Sequence, residues 1–365
     1  MLNIAVYASA HGYGHAARCY EVARHLVKLN PRIRVHFLSS VADSFFHTEG
    51  HARILRRRVK LDAGIHQEDS LSMDLSGTLH DLRSLDADSD LLVEAEADFL
   101  RREQIVLALC DLPYLAFEAA AEAGVPAWGL SNFSWDWIYQ AYVREYPDFL
   151  PHIERIRQAY RKAAGLFRLP FGNPMRAFKE VQDVPLVARV SSLSREKARR
   201  KLGISKNESP VLFSFGGYGL DTEVRKPAKD MVLISTDPSP DPGPPFVHLS
   251  DEKLAEMGLR YPDLVVAADA VVSKPGYGIV SECIANRTPL LYTPRGDFRE
   301  YPVLVREMKS YLPSRLITLK TLASGNWLSA FKDVKSQTFP PPADCSGAQV
   351  VAEKLLTMLE KLQPA

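Results

Sequence analysis

The chain has 365 residues, of which 46% are hydrophobic and 24% are charged, a composition typical of a folded globular protein and not of a disordered one. Its 45 Lys and Arg against 44 Asp and Glu give a formal net charge of +1. No overall field therefore attracts nucleic acid or an acidic membrane, which argues against polyanion binding as the main role. The length exceeds that of one hydrophobic core and favours two domains.

The spacing of the cysteines and the lengths of the apolar runs indicate the cellular compartment in which we expect the protein. The four cysteines lie far apart with no CxxC-type pair, which fits a reducing environment and weakens any zinc-site interpretation. "MLNIAVYAS" lacks the charged and long apolar regions of a signal peptide, and no later run reaches the roughly 18 apolar residues of a membrane span. We therefore expect a cytoplasmic protein without a transmembrane segment, and a peripheral membrane contact stays open.

The chain opens with a strand, a loop, a helix and a strand. "NIAVYAS" predicts the first strand, helical spacing of apolar residues predicts a helix from Ala16 to Leu29, and "RIRVHFLSS" predicts the second strand. This opening favours a parallel sheet with crossover helices. "RILRRRVKLD" predicts a third strand, whereas the polar, aperiodic segment from Ile65 to Leu85 predicts a loop with short helical pieces.

The same alternation continues along the first half. "DSDLLVEAEADFLRREQ" predicts a helix, "IVLALCDLP" a buried strand, "YLAFEAAAEAG" a helix that ends at Gly124, and "VPAWGLSNF" the next strand. "SWDWIYQAYV" and "PHIERIRQAYRKAAG" predict two further helices. The composition then shifts toward Pro, Arg and Ser between Leu169 and Ser209, as at a domain crossing.

The second half repeats the pattern. "SPVLFSFGGYG" predicts a strand and a glycine turn, and alternating strands, turns and helices continue through "PLLYTPRGDF". "STDPSPDPGPPF" predicts a surface loop, because proline does not fit inside a central strand. We expect an α/β protein with domains at residues 1–180 and 181–345, followed by a C-terminal helix within 346–365.

Three glycine turns follow apolar runs: "HGYGHAAR", "FGGYG" and "SKPGYGIVSE". Glycine lets backbone N–H groups approach an anion, and the helix that follows directs its positive end to the same point. The first turn is a poor dinucleotide fingerprint, because Ala17 stands at the third glycine and no acidic residue ends the second strand. No "GKS" or "GKT" marks a Walker-type loop. A dehydrogenase and a P-loop enzyme are therefore disfavoured.

The third turn places Gly276, Gly278, Ser281 and Glu282 at the start of a helix. An acidic residue there can act as a helix-dipole or capping group. Its functional alternative is bidentate acceptance of ribose hydroxyls beside a phosphate that the turn holds. Both roles are compatible with each other.

"VVSKPGYGIVSECIANRTPLLYTP" resembles the donor-binding region of GT-B glycosyltransferases, particularly the family of the peptidoglycan N-acetylglucosaminyltransferase. "HGYGHAAR", "GVPAWGLSNFSWDWIY", "VPLVAR", "FSFGGYG" and "SKPGYGIVSE" resemble, in order, the glycosyltransferase-like N-terminal half of L-arabinokinases. No galactokinase-like segment follows, so we expect a free-standing member and no sugar kinase reaction. The resemblance implies two Rossmann-like domains facing across a cleft, with the last helix packing back on the first domain.

The resemblance implies a donor site in the second domain. Residues that face the phosphates and the ribose would come from the glycine turns, the strand before the third turn and the loop "TPRGDFREYP", and Val247 would lie near the nucleobase. The predicted donor-binding residues are Gly216, Gly217, Val247, Ser273, Gly276, Gly278, Ser281, Glu282, Arg295, Asp297 and Glu300. Related enzymes carry an acidic-plus-amide pair in that loop, which this sequence lacks, so the donor sugar stays open. Arg295 or Arg299 is an alternative partner for the diphosphate, and a solvated surface charge is the other interpretation of Arg299.

The resemblance places the catalytic base opposite the donor. In plant-type and antibiotic-type glycosyltransferases a histidine follows the first strand, and His15 matches it, with His11 as second choice. Asp111 resembles the aspartate that orients such a histidine, and its alternative role is to cap the following helix. Gly12 and Gly14 would keep the backbone close to the cleft. His11 precedes the predicted helix and has no evident third partner, so no metal site is expected.

The segment "NFSWDWIY" follows a strand and combines aromatic faces with polar edges, which suit a sugar. It predicts acceptor contacts from Asn132, Trp135 and Asp136, and core packing is the alternative for the tryptophans. The predicted function is metal-independent, inverting transfer of a sugar from a nucleotide-diphosphate sugar, with UDP favoured, to a small-molecule or lipid-linked hydroxyl acceptor. No cofactor is expected. The alternatives are a non-catalytic nucleotide-sugar binder and a nucleotide-sugar 2-epimerase.

Overall fold

A computed structural model describes residues 1–67, 73–215, 224–236 and 246–362. The first half contains, in chain order, β1 (Leu2–Ala8), α1 (Tyr13–Leu29), β2 (Ile33–Leu38), a short 3-10 helix (Asp43–Phe46), β3 (Ile54–Arg57), β4 (His66–Gln67), β5 (Met73–Asp74), α2 (Leu75–Ala87), α3 (Ser89–Arg102), β6 (Ile105–Asp111), α4 (Tyr114–Ala123), β7 (Ala127–Ser131), α5 (Trp135–Gln140), α6 (Phe149–Tyr160), β8 (Gly165–Arg168) and β9 (Val181–Asp183).

The second half contains α7 (Arg195–Lys201), β10 (Ser209–Ser214), β11 (Met231–Ser235), β12 (Phe246–His248), α8 (Asp251–Glu256), α9 (Tyr261–Ala267), β13 (Ala270–Ser273), α10 (Tyr277–Ala285), β14 (Leu290–Tyr292), α11 (Tyr301–Met308), β15 (Ser314–Leu316), α12 (Leu319–Ser324), α13 (Leu328–Ser336) and α14 (Gly347–Leu362). None of the helices in the described ranges is both long and apolar enough to cross a bilayer.

Two parallel sheets organise the described residues, which confirms the predicted fold class. The first has the strand order β3-β2-β1-β6-β7-β8-β9, and the second has the order β12-β11-β10-β13-β14-β15. In each sheet the chain adds strands on one side of its first strand, β1 or β10, and then crosses to the other side to add the rest. Ligands of such sheets bind beside the carboxyl ends of the strands at this switch point. In the first sheet Ala8 at the end of β1 lies opposite Asp111 at the end of β6. This register brings Asp111 close to the turn that begins α1.

The segment from Ile65 to Leu85 was expected to be mostly loop, and that prediction was wrong. β4 and β5 form a short antiparallel pair, and α2 begins directly after Asp74, whose side chain accepts a hydrogen bond from Gly77 N at 2.8 Å. The buried residues of α2 share one face, because Thr78 and Leu79 precede Leu82 by four and three residues and Leu85 follows it by three. The helical period was present but short, and the aspartate cap fixed where it begins.

The segment that connects the two sheets contacts the start of the last helix. β9 extends the first sheet to Asp183, beyond the boundary expected at residue 180. Val187 forms a bridge with Ser346, and a side chain added at Gly347 would lie 2.2 Å from Pro185 O. α14 begins at this contact and packs against α1. The last described helix therefore lies on the first half of the molecule.

Candidate functional site

A cleft of about 310 Å³ lies where the strands of both sheets end. Residues that follow β1 and β7 line one side of it, and residues that follow β10, β13 and β14 line the other. Most of the predicted site residues are brought together here: His11, Gly12, Gly14, His15, Asn132, Ser273, Gly276, Gly278, Glu282, Arg295 and Glu300.

Other predicted residues lie elsewhere. Trp135 is 1% exposed in the core behind the histidines, and Asp136 faces a separate cavity. The Ser281 hydroxyl donates to Gly278 O at 2.9 Å within its own helix. Val247 is 47% exposed, and the exposed Asp297 is also outside the cleft lining. Gly216 and Gly217 fall outside the described residues.

The two glycine turns at the centre of the cleft touch each other. A Cβ added at Gly278 would lie 2.9 Å from the Cα of Gly14, and no real Cβ approaches backbone that closely. Gly12 precedes α1 with a φ of 86°, a conformation that favours glycine. The helices α1 and α10 therefore begin side by side, one from each half, with their positive ends at the cleft.

His15 and Asp111 form a buried pair. His15 Nδ1 lies 3.1 Å from Asp111 Oδ1, and His15 lines the cleft whereas Asp111 does not. Asp111 is fully buried, and Coulombic attraction from Arg18 and His15 outweighs desolvation, so the pKa of Asp111 is held below its usual range. Asp111 is thus a carboxylate at neutral pH, as a partner that orients an imidazole must be.

Arg18 is a third member of this cluster that the sequence analysis missed. Its Nε donates to Asp111 Oδ2 at 2.5 Å and its Nη2 donates to Asp111 Oδ1 at 2.7 Å. Nη2 also lies 3.1 Å from His15 Nδ1. The available signal was spacing, because residues three apart on a helix share a face. Arg18 therefore competes with His15 for the same carboxylate oxygen.

His11 has a different environment from that of His15. Its ring lies 5.3 Å from Trp135 and 6.0 Å from Phe298, centroid to centroid, and its Nδ1 accepts a hydrogen bond from Ile65 N at 3.2 Å. Burial, followed by Coulombic interactions with His15, Arg295 and Lys274, lowers the pKa of His11 well below its usual value. His11 is therefore a neutral imidazole whose Nε2 carries the proton.

A second carboxylate near His15 also escaped prediction. Asp62 is buried, and Trp135 Nε1 donates to its Oδ2 at 3.0 Å. Burial raises the pKa of Asp62, while hydrogen bonds from the Ser9 hydroxyl and Trp135 oppose that rise. The tryptophan predicted to contact an acceptor is thus held in the core by this hydrogen bond.

Asn132 and Glu300 connect the two sides of the cleft. Asn132 Oδ1 accepts from Arg18 Nη1 at 2.7 Å, and Asn132 Nδ2 donates to Glu300 Oε1 at 2.7 Å. Glu300 Oε2 in turn accepts from Arg295 Nη1 at 2.9 Å. A continuous chain of hydrogen bonds therefore leads from Asp111 to Arg295 through Arg18, Asn132 and Glu300.

Glu282 is engaged by an arginine from the connecting segment. Arg189 Nε donates to Glu282 Oε1 at 2.6 Å, and Arg189 also pairs with Glu49 at 3.3 Å. Burial raises the pKa of Glu282, and Arg189 acts against that rise. Glu282 still lines the cleft, and its Oε2 takes no part in the hydrogen bond that Arg189 Nε donates to Oε1.

The fold can now be compared with known proteins. No protein-family model matches the chain. The calicheamicin glycosyltransferase CalG4 superposes with a TM-score of 0.60 at 11% identity, covering 100% of both chains. UGT89C1 of Arabidopsis thaliana, complexed with UDP, gives a TM-score of 0.55 at 15% identity, covering 97% of this chain and 94% of that one. MurG of Acinetobacter baumannii gives 0.51 at 12% identity, covering 98% and 100%. The chain has the GT-B fold.

One curated protein is similar to the chain in sequence. L-arabinokinase of Arabidopsis thaliana is 31% identical over 333 residues, which are 89% of this chain. The chain spans only 31% of that relative's length. The resemblance to L-arabinokinases and GT-B glycosyltransferases that the motifs indicated is therefore confirmed.

Proposed function

We propose that this protein transfers a sugar from a nucleoside-diphosphate sugar to a hydroxyl acceptor, with inversion and without a metal. The observation that carries the proposal is the His15–Asp111 pair, which faces the glycine turn and the cations of the second half across one cleft. The neighbour complexed with UDP supports UDP as the nucleotide. The similarity to L-arabinokinase supports a sugar substrate and leaves its identity open.

His15 would act as the base through Nε2. When Asp111 Oδ1 accepts a hydrogen bond from Nδ1–H, Nε2 has a free lone pair that can take the proton of an acceptor hydroxyl. The acceptor oxygen then bonds to the anomeric carbon as the bond to the diphosphate breaks, and that bond's electron pair leaves with the diphosphate. His11 cannot replace His15 in this role, because its Nδ1 is occupied by Ile65 N and its Nε2 carries a proton.

The second half would bind the leaving diphosphate. The N-terminus of α10 presents backbone N–H groups at Gly276 and Gly278, and anions bind at such helix ends. Arg295 adds a positive charge that lines the same cleft. These groups supply the charge that a metal ion supplies in metal-dependent transferases. Glu282 Oε2 would accept a ribose hydroxyl while Arg189 holds Oε1.

A non-catalytic nucleotide-sugar binder is a second candidate, and Arg18 is the observation that favours it. Arg18 bonds both oxygens of Asp111 and approaches His15 Nδ1. If Nδ1 accepts from Arg18, the proton of His15 sits on Nε2 and the imidazole cannot act as a base. The tautomer of His15 therefore separates an enzyme from a binder.

The test combines calorimetry, turnover and NMR. UDP binding is measured by isothermal titration, and UDP release is measured with UDP-sugars and a panel of hydroxyl acceptors. We expect His15→Gln to keep UDP affinity within about twofold and to lose 10²–10⁴-fold in turnover, the usual contribution of a general base. His11→Asn serves as the matched histidine control and should lose less turnover than His15→Gln.

Nitrogen-15 shifts should show His15 protonated at Nδ1. UDP binding without turnover in the unmodified protein would favour the binder, and no binding of nucleotides would reject both.

A further inference from the structure

A second cavity of about 580 Å³ lies apart from the cleft. Residues 134–177 of the first half form most of its wall, and Arg299 of the second half completes it. None of the described residues that line this cavity also lines the cleft. Asp136, which the sequence analysis assigned to the acceptor, faces this cavity instead.

Two buried polar atoms in the cavity wall have no hydrogen-bond partner within the described residues: Asn173 Nδ2 and Asp136 Oδ1. Each residue is only 7% exposed. The orientation of the amide is fixed because Asn173 Oδ1 accepts from Met175 N at 2.7 Å, which leaves Nδ2 as the unpaired donor. Unpaired buried polar atoms are costly, so a donor and an acceptor left in one wall indicate a polar ligand.

The cavity also carries a surplus of positive charge. Its carboxylates are neutralised, since Asp136 pairs with Arg157 at 3.2 Å and Glu154 pairs with Arg161 at 3.4 Å. Arg176 and Arg299 have no carboxylate within 4.0 Å among the described residues. Arg176 is exposed at the rim, whereas Asn173 and Asp136 are buried deeper. Arg299 is partly exposed, so both unpaired arginines lie nearer the surface than Asn173 and Asp136 do.

Arg299 is held against Trp137 in the cavity wall. Its guanidinium carbon lies 4.5 Å from the centroid of the Trp137 ring, and its Nη1 donates to the Trp137 backbone carbonyl. Burial lowers the pKa of Arg299, and at neutral pH an arginine remains charged. A stacked guanidinium with free N–H groups is a common partner of phosphate and carboxylate.

We propose that this cavity binds a monosaccharide that bears a phosphate or a carboxylate. The anionic group would meet Arg176 and Arg299, and sugar hydroxyls would donate to Asp136 Oδ1 and accept from Asn173 Nδ2. Because Arg299 belongs to the second half and the other residues belong to the first, the bound anion joins the two halves. This site is independent of the nucleotide cleft and of the reaction proposed there.

The test titrates α-D-glucose 1-phosphate, gluconate, inorganic phosphate and uncharged glucose into the protein by isothermal calorimetry. We expect the two anionic sugars to bind at least about tenfold more tightly than glucose or phosphate alone. Arg176→Gln should weaken them about tenfold, the size of one charge-assisted hydrogen bond. Asn173→Asp keeps the acceptor for Met175 N but removes the donor and adds negative charge, so it should abolish binding.

Two controls keep the result interpretable. Lys162→Gln removes an exposed cation outside the cavity lining and should leave affinity unchanged, and thermal unfolding of each variant checks that it is folded. Arg295→Gln alters the nucleotide cleft and should not affect these ligands. The proposal is overturned if no anionic sugar binds, if Arg176→Gln binds as tightly as the unmodified protein, or if only Arg295→Gln removes binding. Phosphate binding as tightly as glucose 1-phosphate would also reject recognition of the sugar.

Discussion

The two histidines of "HGYGHAAR" lie in different environments. His15 faces a carboxylate that Arg18 keeps ionised, whereas His11 lies among aromatic rings and cations. Two permanently charged side chains, Arg295 and Lys274, also act on His11. Their repulsion adds to desolvation in the same direction, so protonation of His11 opposes folding.

This environment predicts an acid-sensitive contribution to stability. The pKa of His11 is lowered in the folded protein, so the unfolded chain binds the proton first as the pH falls through its ordinary value of about 6.5. His11→Asn removes this contribution while its amide oxygen still accepts from Ile65 N. Between pH 7.5 and pH 5.5 the unmodified protein should lose more free energy of unfolding than the variant, by about 1.4 kcal/mol for each pH unit below 6.5.

Urea unfolding at several pH values measures this difference. His25 and His36, whose pKa values burial also lowers, are present in both proteins and cancel in the comparison. Equal pH dependence of the two proteins would show that His11 does not resist protonation. His11→Asn should leave stability at pH 7.5 within about 1 kcal/mol, since the backbone hydrogen bond is kept.

At the scale of elements, the cleft depends on how closely α1 and α10 begin. Gly14 and Gly278 have no side chains at their contact, and Gly278 is the tighter position. A methyl group at Gly278 would meet the backbone of Gly14, which cannot move without shifting α1. The nearby Gly276 differs, because a methyl group there would lie 3.6 Å from Arg295 Nη1, an ordinary contact.

We therefore expect Gly278→Ala to destabilise the protein by about 1–3 kcal/mol, the usual cost of forcing a methyl group into a packed contact. Gly276→Ala, the matched control, should cost less than 1 kcal/mol. Urea unfolding measures both, and UDP titration should show weaker binding for Gly278→Ala because the two helix ends move apart. Equal stabilities of the two variants would contradict a tight contact between the turns.

At the scale of the whole molecule, the regular elements and the strand-end positions could be predicted from sequence. Strands and helices follow local periodicity, and the strand-end rule places Asp111 at the ligand-binding edge of the sheet. The resemblance to glycosyltransferases paired it with His15 across 96 residues. The bond between Asn132 and Glu300 spans 168 residues and depends on how the two halves dock. No local pattern specifies that docking, so sequence alone could place both residues in the cleft without pairing them.

The acceptor assignment shows the same limit within one short helix. Trp135 and Asp136 begin α5, where successive side chains point about 100° apart around the helix axis. The first is held in the core by Asp62, which turns the second toward the separate cavity. The direction of a side chain on a six-residue helix is set by its packing partners, and the partner here comes from a loop after β3.

The hydrogen bond across the cleft allows an exchange test of how the halves dock. Asn132→Asp places two carboxylates opposite each other where Asn132 Nδ2 now donates to Glu300 Oε1 at 2.7 Å. We expect this variant to lose about 1–3 kcal/mol of stability, the cost of an unsatisfied buried group, and to open the cleft. Adding Glu300→Gln reverses donor and acceptor and should recover most of that loss. Glu300→Gln alone is the control, because it keeps an acceptor for Asn132.

Urea unfolding gives the free energies of unfolding of these variants, and small-angle scattering should show a larger radius of gyration for Asn132→Asp than for the double variant. Strictly additive effects would mean that the two residues do not interact across the cleft.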